Sequence, residues 1–382
     1  MYDILRKFSG ESVVRMFTGT AFGKDGHMRR NRGKDRPSPG GTGAAERLGS
    51  MVELYFYGRS DTGRVRNANQ DSYIITRLCD NATLAVVCDG MGGAKSGNVA
   101  SALSAEVFAE SVSRYAAPRI SNGVLTLDSD DACLILDDAA HDANTAVYKK
   151  SQTSPDYQGM GTTLVAALFC GDIVYVVNVG DSRLYLISDG TMTQITHDHS
   201  YVQHLIDSGS LTAEEARTHP FRNRITRAVG IWEKLEADIY SVDLQSLDMC
   251  YLLLCSDGLS GQLTSDEILS IVSSDADIDV VTDTAGELAD KTERLVDAAN
   301  DAGGPDNITA VLVKYTSAED RPDTSEMFSD KNTSEIDTAE TGEMTITAQN
   351  NRSRSGRKNN AKSSGKTRRA AKDDKNTGAE DD

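Results

Sequence analysis

The stretch Thr162–Ser188, TTLVAALFCGDIVYVVNVGDSRLYLIS, decides the fold. It holds three apolar runs, TTLVAALF, IVYVVNV and LYLIS, separated by a GD turn and a GDSR turn. Connections this short can only reverse the chain, because parallel neighbours need a crossover of roughly a dozen residues or more. An antiparallel meander follows. Similar runs recur outward on both sides: ELYFY, SYIIT and LAVVC before it, and IYSVDL, YLLLC and ITAVLVK after it, for nine predicted strands. Helical periodicity lies between them. Ser96–Tyr115 places Ala100, Leu103, Val107 and Val112 near one face, and Ala132–Lys149 repeats Ile135, Ala139, Ala143 and Ala146. Thr212 with Glu215, and Thr264 with Glu267, fit the reciprocal capping box that starts a helix. Thr284–Asn300 is a further amphipathic helix, stopped by Gly303, Gly304 and Pro305. Helices bracketing antiparallel strands predict a layered α/β sandwich, and no internal repeat is present.

The 382 residues carry a net charge of −18 that is unevenly spread: residues 1–50 hold +5 and residues 317–382 hold −2, which leaves −21 for residues 51–316. From Gly23 to Gly49 the chain is rich in Gly, Arg, Lys and Pro and cannot bury enough surface to order itself, so residues 1–50 are expected to be a disordered basic extension. Apolar patterning begins at Met51, a candidate translation start. Residues 317–382 are expected to form a disordered tail, acidic to about Gln349 and basic from Asn351 to Lys372. That basic run could dock on an acidic partner, although a solvated tail is the plainer reading. The acidic middle argues against binding the nucleic-acid backbone and is compatible with cation sites, as it is with simple solubility. Cys79, Cys88, Cys133, Cys170, Cys250 and Cys255 lack CxxC spacing, and several sit within apolar runs, which marks reduced core residues. No run is long enough to span a membrane and no signal peptide is evident, so a cytoplasmic protein is expected.

Five aspartates fall at strand ends or in the turns between strands: Asp71 in NANQDSY, Asp89 in VVCDGMGG, Asp181 in VGDSRLY, Asp257 in LLLCSDGLS and Asp306 in GGPDNIT. A single strand-end Asp-Gly is usually no more than a turn, because Asp can cap its own backbone and Gly accepts positive φ. Five converging carboxylates repel one another and need a positive charge among them. Oxygen-only ligands suit hard ions such as Mg²⁺ or Mn²⁺, and the absence of His or Cys partners argues against zinc. Two such ions, about 3.5 to 4 Å apart, can share a bridging water and aim it at phosphorus. Asp89 with Gly90 has the form of a shared ligand, in which glycine lets a carbonyl approach as well. Arg66, five residues before Asp71, is placed to present a guanidinium fork to phosphate oxygens.

Taken in order, GRVRNANQDSY, VVCDGMGGAKSGNVAS, GMGTTLVAALF, VGDSRLYLI, QITHDHSYVQHLIDSGSLTAEEARTHPFRNRITRAVG, LLLCSDGLS and GGPDNITAVLV resemble one family over residues 53–314. It is the metal-dependent protein phosphatases of the 2C type, especially the bacterial branch. The resemblance implies an α-β-β-α sandwich of two antiparallel sheets flanked by helices, a catalytic domain over 51–316, and a mobile flap over about 196–230. It further implies that Asp89 bridges two divalent cations, Mn²⁺ or Mg²⁺, and orients the bridging water. Gly90 would bind through its carbonyl, Asp257 and Asp306 would complete one ion, and Asp71 would support the other. Asp181 resembles the ligand of a possible third metal, and Arg66 falls on the phosphate-binding arginine. The implied activity is hydrolysis of phosphoserine and phosphothreonine in proteins, opposing a serine/threonine kinase. Two readings compete with it: a catalytically dead phosphoprotein-binding module, and a hydrolase of small phosphoesters.

The sequence departs from the pattern of many eukaryotic members at two points. Gln70 stands where they carry a Glu, and DGMGG replaces DGHGG, so Met91 has no proton to give a leaving group. The flap holds His197, His199, His204 and His219, which are read as structural or solvent-facing rather than as a replacement acid.

Overall fold

The computed structural model describes residues 14–17, 52–92, 96–274, 284–317 and 346–347. All nine predicted strands form, Thr191–Gln194 joins them in the second sheet, and five shorter strands lie elsewhere among the described residues. In chain order the nine and Thr191–Gln194 are β1 (Glu53–Asp61), β2 (Asp71–Cys79), β3 (Ala82–Met91), β4 (Leu164–Cys170), β5 (Ile173–Val179), β6 (Arg183–Ser188), β7 (Thr191–Gln194), β8 (Asp238–Asp243), β9 (Met249–Cys255) and β10 (Ile308–Thr316). The unpredicted β7, TMTQ, lacks apolar alternation. It forms because Asp189 and Gly190, at φ 49° and 69°, close a tight hairpin with β6.

Every pairing is antiparallel. One sheet runs β8-β5-β4-β3-β2 and the other β7-β6-β9-β10-β1. Two short strands from the flanks, Val14–Phe17 beside β8 and Ile346–Thr347 beside β2, extend the first sheet. The rest of the basic extension and of the tail lies outside the described residues. Strand β1 pairs with β10 along its whole length, from Asp61 opposite Ile308 to Glu53 opposite Thr316.

Three layers of apolar contact hold the sandwich together. Alternate residues of β3 serve two of them: Leu84, Val86 and Cys88 face the helices, whereas Ala85 and Val87 face the second sheet. Strand β9 does the same, with Cys250, Leu252 and Leu254 between the sheets and Tyr251, Leu253 and Cys255 under the outer helices. Burial on both faces is why these segments read as unbroken apolar runs instead of alternating ones. Between the sheets, Phe56 meets Phe169 edge to face with ring centroids 5.2 Å apart.

Helices α1 (Gly97–Ala116) and α2 (Ser129–Ser151) cover the first sheet. Small buried residues on α1, Ala100, Ser101, Ser104 and Ala105, let it lie close to β3. In the flap, α3 (Tyr201–Asp207) and α4 (Ala213–Thr218) are short. The second sheet is covered by α5 (Asp257–Ser260), α6 (Ser265–Ser273) and α7 (Thr284–Asp301), the last through Leu288, Leu295, Val296 and Ala299. Both expected capping boxes are present, Thr212 with Glu215 at α4 and Thr264 with Glu267 at α6.

Candidate metal centre

In an antiparallel sandwich, strand ends and strand starts alternate, so one edge collects the end of β3, the start of β2, the β5–β6 turn, the end of β9 and the start of β10. Each sequence-identified aspartate stands there. Asp71 opens β2 and Asp89 nears the end of β3, where the two are register partners. Asp181 sits in the β5–β6 turn, Asp257 opens α5 directly after β9, and Asp306 precedes β10. A cavity of about 190 Å³ at this edge is lined by Arg66, Asp89, Gly90, Asp181, Asp257 and Asp306, together with Gln70, Met91, Gly92, Thr163, Asn223 and Ile225. Asp71 is buried and is not among the lining residues.

Backbone and hydroxyl contacts fix these carboxylates. The N–H of Asp89 donates to Thr163 Oγ1 at 2.8 Å, and its carbonyl accepts from Thr163 N–H and Thr162 Oγ1, both at 2.8 Å. Thr163 Oγ1 also meets Ser182 Oγ at 2.7 Å, which ties Asp89 to the turn holding Asp181. Asp71 Oδ2 accepts from Ser256 Oγ at 2.8 Å and from Thr309 Oγ1 at 2.6 Å. Gly90 cannot be replaced without movement, since a Cβ there would lie 2.1 Å from the carbonyl oxygen of Gly97 and 2.6 Å from that of Gln70. Asn307 pins the loop that carries Arg66: its Oδ1 accepts from Gln70 N–H at 2.8 Å, and its Nδ2 donates to the carbonyls of Thr62 and Ala68 at 2.9 and 3.0 Å. Arg66 Nη2 itself donates to Asp306 Oδ2 at 2.7 Å.

Asp71, Asp89, Asp181 and Asp257 resist ionisation. Burial, with the charges of Asp257 and Asp306 added, raises Asp71 to about 7 against the hydroxyl bonds that pull it down. Burial and the neighbouring aspartates push Asp89 well above the ordinary carboxylate range. Asp181 is raised by burial and then by Asp257 and Asp198, and Asp257 by burial and then by Asp306, with a hydrogen bond from Asp89 opposing the rise. The cysteines beside the motifs are inert by the same physics, because burial drives the thiols of Cys88 and Cys255 up to about 12.

Sequence reading did not identify Thr163, Asn223 or Ile225. Thr163 is indistinguishable from any other strand residue, and Asn223 and Ile225 arrive only because the flap folds back, Ser200 bridging Ile225 at its base. Nor did it find the ion pair in which the buried Asp198 accepts from Nε and Nη2 along one edge of the Arg183 guanidinium at 2.7 to 3.1 Å. The flap histidines stand apart from the cavity lining. His199 is engaged through both ring nitrogens, His197 Nε2 contacts Asp207 Oδ2 at 2.9 Å, and His219 packs in a ring cluster with Tyr201 and Phe221.

The donor set fits hard divalent cations. Asp71 Oδ1 and Asp257 Oδ1 are buried oxygens with no hydrogen-bond partner, an arrangement that costs about 1–3 kcal/mol or more per group unless something positive meets them. The nearby guanidiniums are committed, Arg183 to Asp198 and Arg66 to Asp306. Among the described residues no three His, Cys, Asp or Glu side chains close up as a ready-made cage. The aspartates ring a space instead, as suits ions that keep part of their water shell.

Comparison with known proteins shows the family. The family described as Protein phosphatase 2C matches residues 62–300. The serine/threonine phosphatase stp of Listeria welshimeri is 35% identical over 256 residues, which is 67% of this chain and 94% of that protein. The solved structure of serine/threonine phosphatase Stp1 from Staphylococcus aureus superposes with a TM-score of 0.59 at 35% identity, covering 71% of this chain and 98% of the other. A PstP catalytic domain solved in complex with two manganese ions gives 0.56 at 33% identity, covering 69% of this chain and 99% of its own. Since the match takes in well over half the chain and the aspartates of its motifs meet at one edge of the sandwich, the chain belongs to the protein phosphatase 2C family.

Proposed function

We propose that this protein phosphatase removes phosphate from phosphoserine and phosphothreonine in proteins, with Mn²⁺ or Mg²⁺ as cofactor, and so opposes a serine/threonine kinase. The observation that carries the reading is the convergence of four carboxylates and one arginine on a single cavity, with two buried carboxylate oxygens left unpartnered. Asp89, the Gly90 carbonyl, Asp257 and Asp306 would hold two cations, Asp89 serving both. Asp71, behind them, would support the second, and Asp181 would serve a third. The two manganese ions in the PstP structure support this assignment. When bound, the cations supply Lewis acidity: they neutralise the carboxylates and lower the pKa of water beside phosphorus.

The chain's own residues do the rest. Arg66 is half exposed at the cavity mouth and can turn its fork from Asp306 to two phosphoryl oxygens once Asp306 is otherwise neutralised. Asp89, fixed through its backbone by Thr162 and Thr163, orients the attacking water in line with the leaving oxygen. Met91 has no proton to give and, among the described residues, no histidine lines the cavity, so the departing alkoxide takes its proton from water.

The test compares the full-length protein with Asp89→Asn on a phosphothreonine peptide and on a nucleoside monophosphate, with Mn²⁺ and after chelation. Metal-dependent turnover of the peptide that collapses by about 10²- to 10³-fold in the variant is expected, since removing one preorganised charge contact costs on that order. Turnover of the nucleotide alone, or equal rates for the two proteins, would defeat the reading.

A further inference from the structure

The consecutive residues Asp198 and His199 grip the turn that carries Asp181 from the flap side. His199 is 6% exposed. Its N–H donates to the Gly180 carbonyl at 2.8 Å, and its Nδ1 accepts from Gly180 N–H at 3.1 Å. With Nδ1 an acceptor, Nε2 carries the proton and donates to Asp238 Oδ2 at 3.1 Å. Arg227 Nη1 donates to the other oxygen of Asp238 at 2.7 Å. Asp198 holds Arg183, so the turn from Gly180 to Arg183 is fastened at both ends.

The same segment is the root of the flap. The His199 carbonyl accepts from Thr226 N–H at 2.7 Å, and Tyr201 N–H donates to the Arg224 carbonyl at 2.8 Å. This returning arm, anchored at Arg227, carries Asn223 and Ile225 to the cavity wall. The imidazole therefore joins the Asp181 turn to Asp238 at the start of β8, and Asp238 in turn holds Arg227 of the flap's return; the direct bonds between residue 199 and that arm are backbone bonds.

We infer that His199 is a positioning residue that makes the Asp181 turn and the flap wall a single mechanical unit, so that a cation held at Asp181 sets where Asn223 and Ile225 meet the protein substrate. His199 does not touch the cavity and acts only through Gly180 and the flap. The inference rests on the reading of Asp181 as a cation ligand.

Two variants separate the halves of the linkage. His199→Asn places an amide oxygen near the position of Nδ1 and keeps the Gly180 contact while giving up Asp238; His199→Gln reaches Asp238 and gives up Gly180. The full-length proteins are compared by Mn²⁺ binding, by limited proteolysis of the flap with and without Mn²⁺, by thermal unfolding, and by kcat and KM on a phosphothreonine peptide and on p-nitrophenyl phosphate, which is too small to reach the flap. In the wild type, Mn²⁺ slows flap cleavage, and Asp181→Asn abolishes the slowing. His199→Gln loses affinity at the weakest Mn²⁺ site by about 10-fold or more, the usual effect of removing an outer-shell partner. His199→Asn keeps that site but loses the slowing, and its KM rises for the peptide far more than for p-nitrophenyl phosphate. Retention of the weakest Mn²⁺ site in Asp181→Asn would overturn the ligand reading. Loss of that site in Asp181→Asn, combined with a flap that still responds to Mn²⁺ in His199→Asn, would overturn the His199 inference alone. So would changes in both His199 variants that merely track their unfolding temperatures.

Discussion

Asp71→Asn should make the cation-free protein more stable at neutral pH, although it removes a site residue. Asp71 is 8% exposed, one of its oxygens is unpartnered, and burial raises its pKa from 3.8 to about 7. Below about pH 4 the carboxyl is protonated in the folded and the unfolded chain alike and costs nothing. Between pH 4 and 7 the unfolded chain releases a proton that the folded chain still holds, so stability falls as pH rises, and above 7 the deficit is constant. At 1.36 kcal/mol per pH unit the full deficit is about 4 kcal/mol. The amide cannot ionise and so abolishes it; the hydroxyl bonds from Ser256 and Thr309 are already included in the raised pKa. A net gain of about 4 kcal/mol corresponds to a Tm rise of roughly 8–16 °C for a domain of this size. The assay is thermal unfolding by circular dichroism in a chelator from pH 4 to 8. The gap between the proteins should open from near zero to its full value across that range. Saturating Mn²⁺ should close or reverse it, because the wild type then gains binding energy that the variant lacks. A gap of equal size at pH 4 and pH 8, or none at pH 8, would refute the reasoning.

Three other expectations are open to direct measurement. Arg66→Ala should lower kcat/KM by roughly 10- to 150-fold, the equivalent of a charged hydrogen bond worth 1.5–3 kcal/mol, while leaving Tm nearly unchanged, because its half-exposed pair with Asp306 contributes at most about 1 kcal/mol; a large Tm loss would mark it as structural. Gly90→Ala forces a methyl to within 2.1 Å of the Gly97 carbonyl, which should cost about 3 kcal/mol or more in denaturant unfolding and reduce Mn²⁺ affinity with it; unchanged unfolding would contradict the close packing of α1 on β3. Thiol reagents at pH 8 should leave the activity of the folded protein intact, since Cys88 and Cys255 are buried and held at about 12; rapid inactivation traced to either would show a reactive thiol where burial forbids one.

Much of this architecture is legible in the residues, for a physical reason. Strands buried on both faces, such as β3 and β9, leave unbroken apolar runs, and an aspartate directly after such a run has nowhere to go but the sheet edge. Asp89 and Asp257 announce themselves in this way. Thr163 does not, because its hydroxyl bonds to the Asp89 N–H across the sheet and nothing local distinguishes it from its strand neighbours. Asn223 and Ile225 depend on a fold-back at the Ser200–Ile225 bridge, and Arg183 with Asp198 depends on a contact across the flap root. What joins distant segments through side chains is not written in periodicity. The hairpin strand β7 was hidden for the opposite reason: its Asp-Gly turn is local, but its own four residues, TMTQ, carry no apolar pattern.

The pairing of β1 with β10 has a consequence for how the enzyme can be carried. Glu53 and Thr316 are opposite one another at the far end of strands whose other ends, Asp61 and Ile308, border the aspartates. The two flanks therefore attach side by side, about 30 Å of extended strand from the cavity. A linker or fusion attached directly at Glu53 or Thr316 would start from the strand ends farthest from the cavity. Because the two attachment points are neighbours, a short linker between them would close the domain into a ring without crossing the site.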